Sequence, residues 1–181
     1  MPAPFVSLQI AATHRLTDDA IAIAFVVPPD LRDRFRFEHG QYLTLRVVVD
    51  GEDLRRSYSI CSAVDDPLLM IAIKRISGGR VSNYAHEHFC AGMGVDVAPP
   101  AGEFTTPLEP HSRRSYLCIA AGSGITPILS ILKTVLAKEP LSRVTLLYGN
   151  RRTATMMFRE ELGFVKNAYL DRFQWLNVMS R

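Results

Sequence analysis

The chain has 181 residues, 48% of them hydrophobic, and its 21 basic and 18 acidic residues give a formal charge of +3 with no basic block. That content suffices for a globular core in one domain or two small ones, and the dispersed charge excludes nucleic acid as an expected partner, because a phosphate backbone is met by clustered cations. No apolar run reaches the roughly 18 residues of a bilayer-spanning helix, and "MPAPFVSLQI" lacks the basic-then-apolar order of a secretory leader, so no membrane is expected and the expected compartment is the cytoplasm.

From the N-terminus, "FVSLQIAATH", "AIAIAFVV", "QYLTLRVVV", "RRSYSIC", "LLMIAIKRI" and "VDVAPP" are short stretches rich in β-branched residues, separated by turns. This spacing predicts an antiparallel barrel or sandwich over residues 1–107. One helix interrupts it at "SNYAHEHFC", after two glycines and with Ser82 as its expected N-cap. The fourth stretch, "LRRSYSIC", is unusually polar for a barrel strand. Alternation puts Arg56, Tyr58 and Ile60 on one face and Arg55, Ser57, Ser59 and Cys61 on the other. A guanidinium beside a phenol suits an anion held next to a flat ring, while an edge strand with a solvated Arg and Tyr fits the octapeptide as well.

After the polar, proline-containing "TTPLEPHSRRS" the texture changes. "YLCIAAG", "VTLLYGN" and "FQWLNVMS" read as strands, "TPILSILKTVLAKE" and "MMFREELGFVKNAYLDRF" as helices between them. Such alternation predicts a parallel sheet with crossover helices over residues 108–181. Ile128, Ile131, Leu132, Val135 and Leu136 form the apolar stripe of the first helix, and Phe158, Leu162, Val165 and Tyr169 that of the second.

"AAGSGITPI" joins a strand to a helix, the place where a parallel sheet offers a ligand crevice. Gly122 and Gly124 permit a tight turn, Thr126 is the expected helix cap and Pro127 suits the first helical position. The helix start then offers free N–H groups to a phosphate, although a plain strand-to-helix turn explains a lone GxG equally well. "GGRVSN" is a second helix start of this kind. Cys61, Cys90 and Cys118 are widely spaced and form no CxxC pair, which disfavours disulfides, structural zinc and a cysteine-held iron–sulfur cluster. The five histidines, His14, His39, His86, His88 and His111, read as solvated rather than as metal ligands.

An RxYS strand, a GGxxS helix start, the turn "PAGEF" and "AAGSGITP", in that order, resemble the ferredoxin–NADP+ reductase family over nearly the whole chain. The resemblance implies an all-β antiparallel Greek-key barrel that binds FAD, over residues 1–107, followed by a partial α/β parallel-sheet domain that binds NAD(P)H, over residues 108–181. It implies that Arg56 pairs with the FAD diphosphate, that Ser57 belongs to the same strand site, that Tyr58 stacks on the isoalloxazine and that Ser59 hydrogen-bonds near flavin N5. Tyr58 and Ser59 would then be the catalytic pair. Ile73, Lys74 and Arg75 would line the adenine-side and ribityl path, partly through backbone groups, and Gly79, Arg80, Val81 and Ser82 would hold the diphosphate. Gly122, Ser123, Gly124, Thr126 and Pro127 match the family's dinucleotide turn. Arg151 and Arg152, in "YGNRR", suit the 2′-phosphate of NADPH, with NADH and two merely solvated arginines left open.

The function so implied is electron transfer from NADPH through FAD to an iron–sulfur domain or ferredoxin serving an oxygenase component. The alternative is a module that holds FAD and nucleotide without turnover. Family members have more parallel strands than the three counted here and a later Cys-Gly turn, and close relatives append a 2Fe–2S domain with four cysteine ligands. The expectation is therefore a truncated chain that is reduced by NADPH slowly or not at all, with partly uncovered apolar faces on the third strand and both crossover helices.

Overall fold

The computed structural model describes residues 5–179. Six strands, β1 (Val6–Thr17), β2 (Ala20–Val26), β3 (Tyr42–Val49), β4 (Glu52–Ser59), β5 (Leu69–Lys74) and β6 (Gly94–Val97), form one antiparallel sheet in the order β4-β3-β6-β1-β2-β5. A bridge from Ile60 to Ile71 brings the end of β4 onto β5 and closes the sheet into a barrel. Around the closed circuit β6 lies beside β3 while β3, β4 and β5 follow one another, which is the Greek-key order. The β3–β4 hairpin turns through Asp50 and Gly51, both at positive φ, as a two-residue Asp-Gly loop favours. Leu8, Ile10, Ile23, Phe25, Leu43, Leu45, Ile60, Ile71 and Ile73 fill the interior.

Helix α1 (Arg80–His88) packs against β3, β4 and β5. It starts two residues before the expected cap: Gly79 is the N-cap, and Ser82 sits in the first turn with its hydroxyl turned back on the loop. Ser82 Oγ accepts the Ile76 N–H at 3.2 Å and donates to Gly79 O at 3.2 Å, so the loop, not the helix, uses the serine.

The second half runs β7 (Ser115–Ala121), α2 (Ile125–Lys138), β8 (Arg143–Asn150), α3 (Arg159–Ala168) and β9 (Phe173–Met179), with the strands parallel in the order β7-β8-β9. Each strand steps the same way across the sheet, so two right-handed crossovers bring both helices to one face. Cys118, Ala120, Val144, Leu146, Tyr148 and Phe173 meet Leu129, Leu132 and Leu162 there. The opposite face is bare, with Leu117 64% and Ile119 67% exposed and Leu176 and Val178 exposed beside them.

Three expectations are corrected by this arrangement. The stripe of α2 is fully covered, because Ala20, Ala22, Cys61 and Ala72 of the barrel join its cluster and wedge the helix between barrel and sheet. Helix α3 is shorter than expected: residues 153–155 form a 3-10 turn, Phe158 takes φ 58°, and regular helix begins only at Arg159. Helix α2 begins at Ile125, because the 3-10 turn Gly122–Gly124 runs straight into it, so Thr126 and Pro127 occupy its second and third positions. Ser180, at the end of the expected third strand, and Met1–Pro4 lie outside the described residues. Among the described residues no helix is long and apolar enough to cross a membrane.

Candidate nucleotide and flavin site

On β4 the register decides the faces. Tyr58 stands opposite Leu43 and Arg56 opposite Leu45, both fully buried, so these two side chains share the barrel-facing side of the strand. Tyr58 is half-buried against the barrel core, while Arg56 is exposed. Burial pushes the Tyr58 phenol up and the neighbouring Arg56 guanidinium pulls it down, which places the cation and the ring within electrostatic reach of each other. Arg56 Nη1 donates to Arg55 O at 2.7 Å, and no carboxylate pairs with Arg56 among the described residues. Ser57 and Ser59 stand on the other face: Ser57 Oγ lies 2.9 Å from Thr44 Oγ1, and Ser59 is opposite Tyr42. Arg55, also on that face, is 3.6 Å from Asp53 and lies over the Phe5 ring.

Helix α1 directs its uncapped N-terminus from Gly79, leaving first-turn N–H groups for an anion. Val81 and Ser82 are buried there. Arg80 is committed elsewhere: it bonds Glu52 at 2.5 Å and Val49 O at 2.9 Å and lies 3.6 Å from Asp50, tying α1 to the hairpin. Ile73 is fully inside the barrel, and its carbonyl is 3.1 Å from His86 Nε2. Neither its side chain nor its carbonyl faces a ligand freely. Lys74 pairs with Asp19 at 3.3 Å, and Arg75 lies 3.8 Å from Glu87. A guanidinium with no carboxylate partner among the described residues, a half-buried phenol and an uncapped helix start are the kinds of group that the diphosphate and ring of FAD call for.

A cleft of about 790 Å³ opens beyond the carboxyl ends of β7 and β8. Gly122, Ser123, Asn150, Arg151 and Arg152 line it from the sheet side, and Asp19 and Lys74 from the barrel. Gly122 takes φ 51°, a conformation other residues enter at a cost. Thr126 does not cap α2: its Oγ1 donates to Ser123 O at 2.6 Å, so the helix start keeps its N–H groups. Gly124 is the N-cap. Burial works to raise the Asp19 carboxyl, but the Thr17 hydroxyl and the Lys74 ammonium outweigh it and hold Asp19 below the usual range. Against that single carboxylate stand Lys74, Arg151 and Arg152, a balance that suits a phosphate-bearing ligand.

Sequence reasoning missed several residues. Asp19 and Asn150 line the cleft between the halves, where they join Lys74, which the resemblance put on the adenine-side and ribityl path of FAD. Asn150 had a signal in the sequence, since it follows Leu146 and Tyr148 on the helix-covered face of β8, where an amide is out of place. His39 is buried rather than solvated: its Nε2 lies 3.0 Å from Thr106 O, and burial pushes its pKa down. Lys133 of α2 lies 2.6 Å from Asp66 in the loop after β4 and 2.6 Å from Glu161 of α3, joining the halves.

Residues 7–106 match the oxidoreductase FAD-binding domain, and residues 118–181 match the oxidoreductase NAD-binding domain. Over 98% of its length the chain is 46% identical to a component of the 1,2-phenylacetyl-CoA epoxidase of Escherichia coli, covering 50% of that protein. It is 38% identical to the ferredoxin reductase component of 3-ketosteroid-9-alpha-monooxygenase from Rhodococcus rhodochrous, over 94% of this chain and 49% of that one. The chain thus spans about half the length of these relatives. The ferredoxin–NADP+ reductase of Plasmodium falciparum, solved with 2′P-AMP, superposes with a TM-score of 0.84 at 18% identity over 97% of this chain and 74% of that one, a likeness of fold. A cytochrome P450 reductase from Amycolatopsis gives 0.81 at 25% identity, over 99% of this chain and 53% of that one. With both domain families matched in order and the barrel and parallel sheet arranged as in those structures, the chain belongs to the ferredoxin reductase family of FAD- and NAD-binding oxidoreductases.

Proposed function

We propose that the chain takes electrons from NADPH onto FAD and hands them to an iron–sulfur domain or ferredoxin that serves an oxygenase, working in the cytoplasm. The observation that carries this reading is the shared cleft: barrel residues Asp19 and Lys74 face the Gly122–Ser123 turn and Arg151–Arg152 across one space, so both halves contribute to one ligand site. FAD, when bound, supplies the exchange between a two-electron hydride donor and a one-electron acceptor. Arg56 neutralises diphosphate charge, with the first turn of α1 presenting N–H groups alongside it. Tyr58 offers its ring as a shelf that shields one face from water and fixes orientation, and Ser59 supplies a hydroxyl at the strand end. The Gly122–Gly124 turn and the start of α2 take the dinucleotide phosphates, and Arg151 and Arg152 favour NADPH over NADH through the extra phosphate. An iron–sulfur acceptor is supported by the R. rhodochrous relative, whose name makes it the ferredoxin reductase component of a monooxygenase.

The test is spectroscopic. FAD added in excess to the purified chain and then removed should leave visible flavin bands, and anaerobic NADPH should bleach them faster than NADH does. A chain without retained flavin overturns the reading. One that holds FAD and NADPH yet never bleaches is the binding module instead.

A further inference from the structure

We propose that Tyr148 is a positioning residue of the nicotinamide-nucleotide cleft: its phenol fixes the Gly122–Ser123 peptide so that the Ser123 N–H is presented to the ligand's phosphates, with the Asn150 amide as a second donor. The inference rests on the reading of that cleft as the NAD(P)H site.

Tyr148 is fully buried in β8, where a phenylalanine would fill the same apolar volume. Its hydroxyl therefore has a job that packing does not explain. It donates to Gly122 O at 3.0 Å, reaching from the second strand to the turn that follows the first. A trans peptide carries its N–H on the side opposite its C=O, so drawing the Gly122 carbonyl toward the phenol turns the Ser123 N–H away from it. Gly122 and Ser123 both line the cleft. The positive φ of Gly122 leaves this peptide with alternatives that a tether must exclude. Burial pushes the phenol up to about 12, so it remains a proton donor at neutral pH.

Asn150 supplies an independent observation. It is 94% buried, lines the same cleft beside Arg151, and its Nδ2 has no hydrogen-bond partner among the described residues. Buried amide donors are rarely left unpaired, and this one belongs to a residue that lines the cleft. Gly122 O also accepts the Ile125 N–H, so removing the phenol does not orphan the carbonyl, and the turn survives in a variant.

The test uses the FAD-loaded chain, titrated with NADPH by calorimetry, and the Ser123 amide signal followed by NMR. Tyr148→Phe and Asn150→Leu are each expected to weaken NADPH about three- to tenfold with FAD content unchanged. The NADPH-induced shift of the Ser123 amide should shrink in Tyr148→Phe. Tyr116→Phe is the structural control. It removes a phenol bonded to Glu139 Oε2 at 3.0 Å, at the far end of the sheet, and should leave NADPH affinity unmoved. Equal affinity and an equal Ser123 shift in Tyr148→Phe overturn the proposal. So does a Ser123 amide in the unmutated chain that ignores NADPH, a result that needs no variant. An unmutated chain that binds neither NADPH nor NADH overturns the reading of the cleft, and the inference with it.

Discussion

The two halves use their strands in opposite ways. In the barrel, β1 to β6 close on themselves through the Ile60–Ile71 bridge, and each strand turns one face onto a single interior. The parallel sheet β7-β8-β9 has apolar side chains on both faces, yet α2 and α3 cover only one of them. Closure lets a barrel strand spend its other face, and even part of its inner one, on polar work, which is why β4 can carry Arg55, Arg56 and Ser57. The sheet does its work at its ends, where strands stop and turns expose backbone donors. A site built between them combines a polar wall from one half with open backbone from the other.

The sharpest way to break this division is at the seam. A Cβ on Gly40 would meet Phe104 O at 1.9 Å and Ile131 Cδ1 at 3.3 Å, at φ 90°, where barrel, linker and α2 converge. Gly40→Val is expected to cost at least about 3 kcal/mol from strain and overpacking, read as a fall in the urea midpoint. A variant as stable as the parent would show that the 104 segment is not held against the barrel. Next in size, Arg56→Ala should weaken FAD by about ten- to a hundredfold, the loss of a charge-assisted donor worth roughly 1.5–3 kcal/mol, while NADPH affinity changes little. A loss of NADPH binding instead would mean that the two subsites are not separable.

Lys133→Ala asks whether the halves unfold together. It leaves the Asp66 and Glu161 carboxylates facing one another and should cost about 1–2 kcal/mol, given their partial exposure. Trp175, the one tryptophan, reports on the sheet, and flavin release reports on the barrel. Their urea transitions should coincide in the parent and separate in the variant. A smaller effect is alkaline. Burial pushes the Cys118 thiol from 9.0 up to about 11, so the unfolded thiol ionises first, and stability present below pH 9.0 is lost as pH rises toward 11. Cys118 contributes about 1.4 kcal/mol per pH unit to the loss in that window, beside the buried Cys61 thiol that is pushed up further, and Cys118→Ala should make that part of the profile shallower by that amount. Smallest, Arg151→Ala and Arg152→Ala, made singly, should narrow the NADPH preference a few-fold and leave NADH unchanged, because exposed cations are screened. Equal affinities for both cofactors in the parent would remove their assigned role.

Local chemistry made much of the molecule legible. Alternation placed Arg56 and Tyr58 on one face of β4, because a strand has period two whatever it packs against. The apolar runs and glycine turns located the nine strands of the described residues and the order of the two folds, since turns and hydrophobic period are properties of short segments. Helix starts were misjudged by one to three residues, because Ser82 and Thr126 spend their hydroxyls on neighbouring loop groups rather than on caps, a choice made by the loops' three-dimensional path. His39 was read as solvated because nothing near it in sequence announces that Thr106, sixty-seven residues later, covers it. Arg80 likewise meets Glu52 across a distance that only folding closes. The sequence by itself determined the strands, the turns and the families of donors, all of which depend on neighbours a few residues away. Tertiary structure alone decided which donors stay free: long-range pairing took Arg80, left Arg56 without a carboxylate among the described residues, brought Asp19 and Lys74 into the cleft and tied Tyr148 to Gly122.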